Sequence, residues 1–170
     1  GRMRENVALA GFLLALMIIF QSIRLVAPLP VFIMIFIVGS TVNACLLLAV
    51  KYVGFKYTVM MSILAPIIAF VEGALIFPLM IIPIAIINIA YCLVYNTFYK
   101  KSLYLAIGAA SFLRMSCLYM SGVYMFEVIH LNGGDINVMQ AGMSWPQLFT
   151  GIIGGVIAAL ITKYIDRDRK

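Results

Sequence analysis

Of the 170 residues, 65% are apolar, 12 are Lys or Arg and 6 are Asp or Glu, giving a formal net charge of +6 and a mean hydropathy of +1.11. Soluble domains carry about 25% charged residues, and a globule of this size cannot cover its surface with so few. The composition excludes a soluble enzyme, a disordered chain and a nucleic-acid binder working through a basic face, and it points to an integral membrane protein.

At about 20 residues per crossing, six crossings leave roughly 50 residues for loops and ends, and no space for a second domain. The expected architecture is therefore a single all-α domain over 1–170, an integral membrane bundle of six transmembrane helices. A transmembrane barrel is disfavoured, because its strands alternate apolar and polar residues whereas these runs are apolar on every side.

Charge-free runs mark the crossings in chain order. The first ends at Arg24 and predicts a helix over 6–25. Pro28 and Pro30 fit a loop into a second helix, 31–50. The third, 57–76, carries Glu72 near its end. Pro78 fits the start of the fourth, 79–99, since proline suits a first turn and disfavours helix in the residue before it. The fifth, 102–126, is interrupted only by Arg114. The sixth, 145–165, starts at Trp145-Pro146. Pro66 and Pro83 lie deeper and predict kinks whose freed backbone groups need partners inside the protein.

Cytoplasmic loops carry the excess of Lys and Arg. With both ends inside, Arg2, Arg4, Lys51, Lys56, Lys100, Lys101, Lys163, Arg167, Arg169 and Lys170 all fall on the cytoplasmic side. Gly1 and Arg2 precede Met3 and read as a tag remnant. The topology accounts for the positive charge without a nucleic-acid partner and predicts a multi-pass protein of a prokaryotic cytoplasmic membrane.

Polar residues inside the spans are the functional candidates. Arg114 lies mid-helix, where an arginine costs about 2.5–3.5 kcal/mol on insertion scales and normally faces the bundle or a cavity. It forms a structural ion pair, with Glu72 or Glu127, or it contacts a ligand, or it snorkels to lipid. Ser111, Cys117, Ser121 and Met125 share its face by helical spacing. Asn88 is central in the fourth span, with Tyr91 and Tyr95 on its side, and reads as an interhelical contact or a ligand donor. Gln147 opens the last span beside Trp145, an interfacial anchor. The segment 127–144, with Asn132-Gly133-Gly134-Asp135, reads as a turn-rich loop or as a lid over an outward cavity. Cys45, Cys92 and Cys117 show no metal or redox spacing and read as packing residues. Gly151, Gly155 and Ala159, and likewise Gly11 and Ala15, have the four-residue spacing that lets helices approach closely. The lone His130 offers no catalytic triad and no multi-histidine metal site. No Gly-rich phosphate loop precedes a Lys. Neither catalysis nor a cofactor is expected, and uphill transport would draw on a partner or an ion gradient.

Three stretches carry a resemblance: Ala10-Gly11 with Ala15; Pro78-Leu79-Met80-Ile81-Ile82-Pro83 with Asn88; and Met143-Ser144-Trp145-Pro146-Gln147-Leu148 with Thr150-Gly151 and Gly154-Gly155. With its size and topology, the chain resembles the substrate-binding (S) components of energy-coupling factor (ECF) transporters. The resemblance implies capture of a small organic micronutrient, a vitamin or precursor, and delivery with a transmembrane coupling subunit and two ATPases. By position it implies ligand contacts at Asn88, Tyr91, Arg114, Tyr119 and Gln147 and in the Arg24–Pro30 loop, and a partner contact at Gly11 and Ala15. Glu72, which ends the third span on the outer side, reads either as solvated or as a further ligand contact turned into an outward-facing cavity. A guanidinium at 114 suits an anionic group. Two other readings are a non-transport scaffold, such as a rod-shape-determining membrane subunit, and a membrane enzyme. An enzyme would want clustered His, Asp or Glu inside the spans, which this sequence does not offer.

Overall fold

The computed structural model describes residues 2–128, 130 and 136–168. The described residues form helices α1 (Arg2–Val26), α2 (Val31–Tyr52), α3 (Phe55–Val71), α4 (Ile81–Phe98), α5 (Leu103–Val123), α6 (Ile136–Gly142) and α7 (Trp145–Asp168). A 3-10 turn, Pro78–Met80, leads into α4, and a π-helical turn, Tyr124–Val128, ends α5. Residues 132–135 of the expected turn, together with Arg169 and Lys170, lie outside the described residues.

Among the described residues, five helical segments are long and apolar enough to cross a bilayer: Met3–Val26, Val31–Tyr52, Pro78–Phe98, Leu103–Val128 and Ile136–Asp168. The expected third span is shorter. It ends at Val71 rather than near residue 76, leaving 17 residues, about 26 Å at 1.5 Å per residue. Gly73 causes the stop. Its φ of +82° takes the chain out of the helix, and Ala74 N–H donates to the Ala69 carbonyl (2.8 Å) while Gly73 N–H donates to that of Phe70 (3.1 Å). This is a Schellman cap, which glycine adopts without steric penalty. Ser102 caps α5 by accepting from the Leu105 N–H at 3.3 Å. Pro83 falls in the first turn of α4 rather than in mid-helix.

Six helices pack as a closed ring in the order α1, α2, α7, α5, α4, α3 and back to α1. Lys51, Lys56, Lys100, Lys101, Lys163 and Arg167 fall at one end of the ring, the basic end, where Lys51 Nζ lies 3.8 Å from the Tyr99 ring centre. The opposite end carries the α1–α2 connection, residues 72–77 and α6. The ring is not uniform along its length. Val42 to Val50 are all buried, whereas Val31–Ile33 are exposed. The second half of α2 therefore fills the middle of the ring and also touches α3 and α4. It closes the basic end and leaves a hollow above it.

Small residues set how closely α7 sits. A Cβ on Gly154 would stand 2.6 Å from Asn43 Cβ and 3.0 Å from the Ser40 carbonyl oxygen, and one on Gly151 would stand 2.8 Å from Ser111 Oγ. Gly154 thus fits α7 against α2, and Gly151 and Gly155 fit it against α5. The outward surface is apolar: Phe12, Ile19, Ile82, Ile86, Phe112 and Leu160 are all exposed.

Candidate functional site

The hollow is a cavity of about 610 Å³. Every helix contributes to its wall, α6 included, through Val138, Met139 and Gly142. Most of the lining is apolar. The polar side chains are Gln21, Arg24, Asn43, Glu72, Asn88, Arg114 and Gln147. This balance, an apolar wall with a few converging polar groups, is typical of small-molecule sites.

Arg114 is buried, at 8% exposure. Its Nη1 donates to Asn88 Oδ1 at 2.7 Å and its Nε donates to Gln147 Oε1 at 3.2 Å. The guanidinium carbon lies 5.4 Å from the centre of the Tyr91 ring, and Tyr91 is itself fixed by its hydroxyl donating to the Gly151 carbonyl at 2.7 Å. The expected ion pair with Glu72 or Glu127 is not formed. Among the described residues the guanidinium meets neutral amides and a ring face, and no carboxylate. Amide oxygens solvate the charge without cancelling it, so Arg114 brings a net positive charge to the cavity wall.

Both amides are held in place by backbone carbonyls. Asn88 Nδ2 donates to the Ser62 carbonyl at 3.0 Å. That carbonyl is available because Pro66, four residues on, has no N–H to give it. Gln147 Nε2 donates to the Gly142 carbonyl at 2.9 Å, in the last turn of α6, where helical carbonyls lack an internal partner. With their N–H₂ groups committed, both side chains present oxygen to Arg114. An amide's oxygen and nitrogen are assigned from such a network, and here each nitrogen has a carbonyl to face.

Glu72 closes α3 and turns inward. Its carboxylate accepts from Ser22 Oγ at 2.9 Å and lies 3.9 Å from Arg24 Nη1. The pair lines the same cavity, between α1 and α3. The charges on the wall are thus Arg24, Glu72 and Arg114, a sum of +1.

The structure brings together five of the seven expected ligand contacts: Arg24, Glu72, Asn88, Arg114 and Gln147 line one cavity. Tyr91 stands behind Arg114 rather than on the wall. Tyr119 does not join them. It is 44% exposed and borders a shallow outer groove with Met115, Met120 and Trp145. The reason is its position on α5: Arg114 and Leu118 face the interior, and Tyr119 lies 100° further round the helix. Gly11 and Ala15 are exposed on the outer face of α1, and a Cβ on Gly11 would meet nothing within 4 Å. Trp145 stacks on Phe32 (ring centres 6.3 Å apart) and packs against Phe36 and Phe149.

Sequence reasoning missed Asn43 and α6; Gln21 stands out in sequence only as a polar residue beside Arg24 on the outer side between the first two helices. Asn43 is flanked by apolar residues and carries no charge to single it out. The 136–142 stretch is polar enough to resemble loop. Comparison with protein-family models, with curated proteins and with solved structures gave no match.

Proposed function

We propose that the protein is a membrane-embedded capture subunit that binds a small organic anion in the cavity between its helices. The observation that carries this reading is Arg114: a buried guanidinium on a cavity wall, held by two neutral amides and lacking a carboxylate partner among the described residues. Keeping an uncompensated cation in an apolar bundle is unfavourable. A ligand carboxylate or phosphate would neutralise it through the guanidinium's planar fork. The cavity volume suits a vitamin-sized solute.

Under this reading the cavity end faces outward and the basic end lies at the cytoplasmic face of a prokaryotic cell membrane, following the distribution of Lys and Arg. The protein would work as the S component of an ECF-type importer, giving up its ligand in complex with a transmembrane coupling subunit and two ATPases. The exposed small residues Gly11 and Ala15 on α1 offer a surface for that coupling subunit.

The test is ligand-dependent thermal stabilisation of the purified protein, read against a panel of vitamins and precursors, together with the mass of any small molecule that co-purifies. A ligand that binds only the folded state raises the unfolding midpoint by mass action. The expected result is a rise with an anionic member of the panel, lost in Arg114→Gln. A rise with neutral or cationic solutes alone, or no rise at all, would overturn the reading.

A further inference from the structure

Asn43 lies on the floor of the cavity, in the part of α2 that crosses the ring. It is fully buried, at 0% exposure. Neither its Nδ2 nor its Oδ1 has a hydrogen-bond partner among the described residues. Buried carboxamides are ordinarily satisfied, and one that is not calls for an explanation. A leucine of similar size would fit an apolar floor at lower free energy. The position is also fixed: Gly154 packs directly on the Asn43 Cβ, so the side chain cannot retreat toward α7.

Gln21 adds a second free acceptor on the same wall. Its Nε2 is committed to the Ala65 carbonyl at 2.9 Å, which leaves Oε1 buried and without a partner among the described residues. Among the described residues the cavity wall therefore holds one donor and two acceptors that are neutral and unengaged, apart from the charge at Arg114; they have almost no exposed surface, so a ligand reaches them as the side chains turn toward the cavity. Gln147, which bonds Arg114, and Gly154, which contacts Asn43, are seven residues apart on α7. This places the two polar points about 10 Å apart along the helix axis at 1.5 Å per residue.

We propose that Asn43 is a specificity-determining contact. It reads a neutral donor–acceptor edge, a lactam, ureide or carboxamide, at the end of the ligand remote from the anionic group on Arg114. Such an edge has adjacent N–H and C=O groups that pair in register with a carboxamide. Gln21 Oε1 accepts from a further N–H of the same group. The inference rests on the anion-capture reading and narrows its ligand class to monoanions with a planar amide-like edge.

The experiment measures thermal stabilisation of the intact protein in detergent by four monocarboxylates. Biotin and desthiobiotin carry such an edge in a cyclic ureide; lipoate and octanoate have a carboxylate chain without one. Wild type, Asn43→Leu, Asn43→Ser and Arg114→Gln are compared. The expected result is that an edge-bearing acid binds wild type at least tenfold more tightly than the edge-less acids. Both Asn43 variants remove that difference and keep the edge-less binding, and Asn43→Leu without ligand unfolds at a higher temperature than wild type. Edge-bearing binding that is unchanged in both Asn43 variants but lost in Arg114→Gln overturns this inference and keeps anion capture. A lower midpoint for ligand-free Asn43→Leu with unchanged discrimination makes Asn43 structural and also overturns it. No stabilisation of wild type by either edge-bearing acid overturns this inference, and anion capture falls with it only if the wider vitamin and precursor panel also gives no rise.

Discussion

Pro66 orients Asn88 across the interface between α3 and α4. Because Pro66 has no N–H, the Ser62 carbonyl is left for the Asn88 side chain, which donates to it at 3.0 Å and turns its own oxygen to Arg114 at 2.7 Å. A gap in one helix's hydrogen-bond ladder thus sets the direction of a dipole in the next helix and the position of a charge in a third. Pro66→Ala would return an N–H to the ladder and compete for the same carbonyl. The expected outcome is a protein of nearly unchanged stability whose anion affinity falls by about three- to tenfold, the equivalent of one ordinary hydrogen bond. Titration calorimetry with the stabilising ligand checks it, and unchanged affinity would mean that Asn88 holds its orientation without Pro66.

Asn88→Asp makes a sharper test of the charge argument. It places a carboxylate where the amide oxygen now meets Arg114, so the cavity wall carries no net positive charge. Binding of an anionic ligand should be lost, while the protein remains folded because the new pair is internally neutral. Retained anion binding in this variant would show that Arg114 is not the anion's partner.

Arg114→Lys keeps the charge and loses the planar fork. Lysine cannot serve Asn88, Gln147 and a ligand carboxylate with the same geometry. Affinity should fall by about ten- to a hundredfold, within the range of a charge-assisted hydrogen bond. The stability cost should exceed that of a surface change, since the Gln147 oxygen is left without its donor. Comparing unfolding midpoints and ligand dissociation constants separates the two effects.

Two glycines predict opposite outcomes for the same substitution. Gly154→Ala forces a Cβ to within 2.6 Å of Asn43 and should destabilise the protein by about 1–3 kcal/mol, as overpacking does. Gly108→Ala meets nothing within 4 Å on an exposed face of α5 and should be neutral or stabilising by up to about 1 kcal/mol, since glycine is unfavourable inside a helix. Equal midpoints for the two variants would mean that α7 is not seated on α2 as described.

Gly11→Leu and Ala15→Leu alter an exposed outer face of α1, where a Cβ on Gly11 meets nothing within 4 Å. Ligand affinity and thermal midpoint should stay at wild-type values. Co-purification with a coupling subunit should fall sharply if that face is the docking surface, and an intact complex would place the contact elsewhere.

Much of the helical layout was legible from charge and proline alone. A run of apolar residues closed by Lys or Arg has few options, and the breaks at Pro28–Pro30, between Lys51 and Lys56, at Pro78 and at Lys100–Lys101 fall between helices in the structure. The third helix ran shorter than its hydropathy because Gly73 and a Schellman cap end it, and hydropathy does not register backbone conformation. Arg114, Asn88 and Gln147 stood out because polar groups inside apolar spans are rare. Their sharing of one cavity was not legible, because they come from three helices far apart in sequence.

The sequence by itself determined an apolar helical chain with its positive charge gathered at one end, since burial and charge placement depend on residue type and order. Only the tertiary structure decided that α2 crosses the ring to make a floor, that Tyr119 faces away, and that Arg114 is met by amides and not by a carboxylate. Those outcomes depend on how helices rotate and tilt when small residues such as Gly151 and Gly154 let them approach, and no local pattern along the chain encodes that rotation.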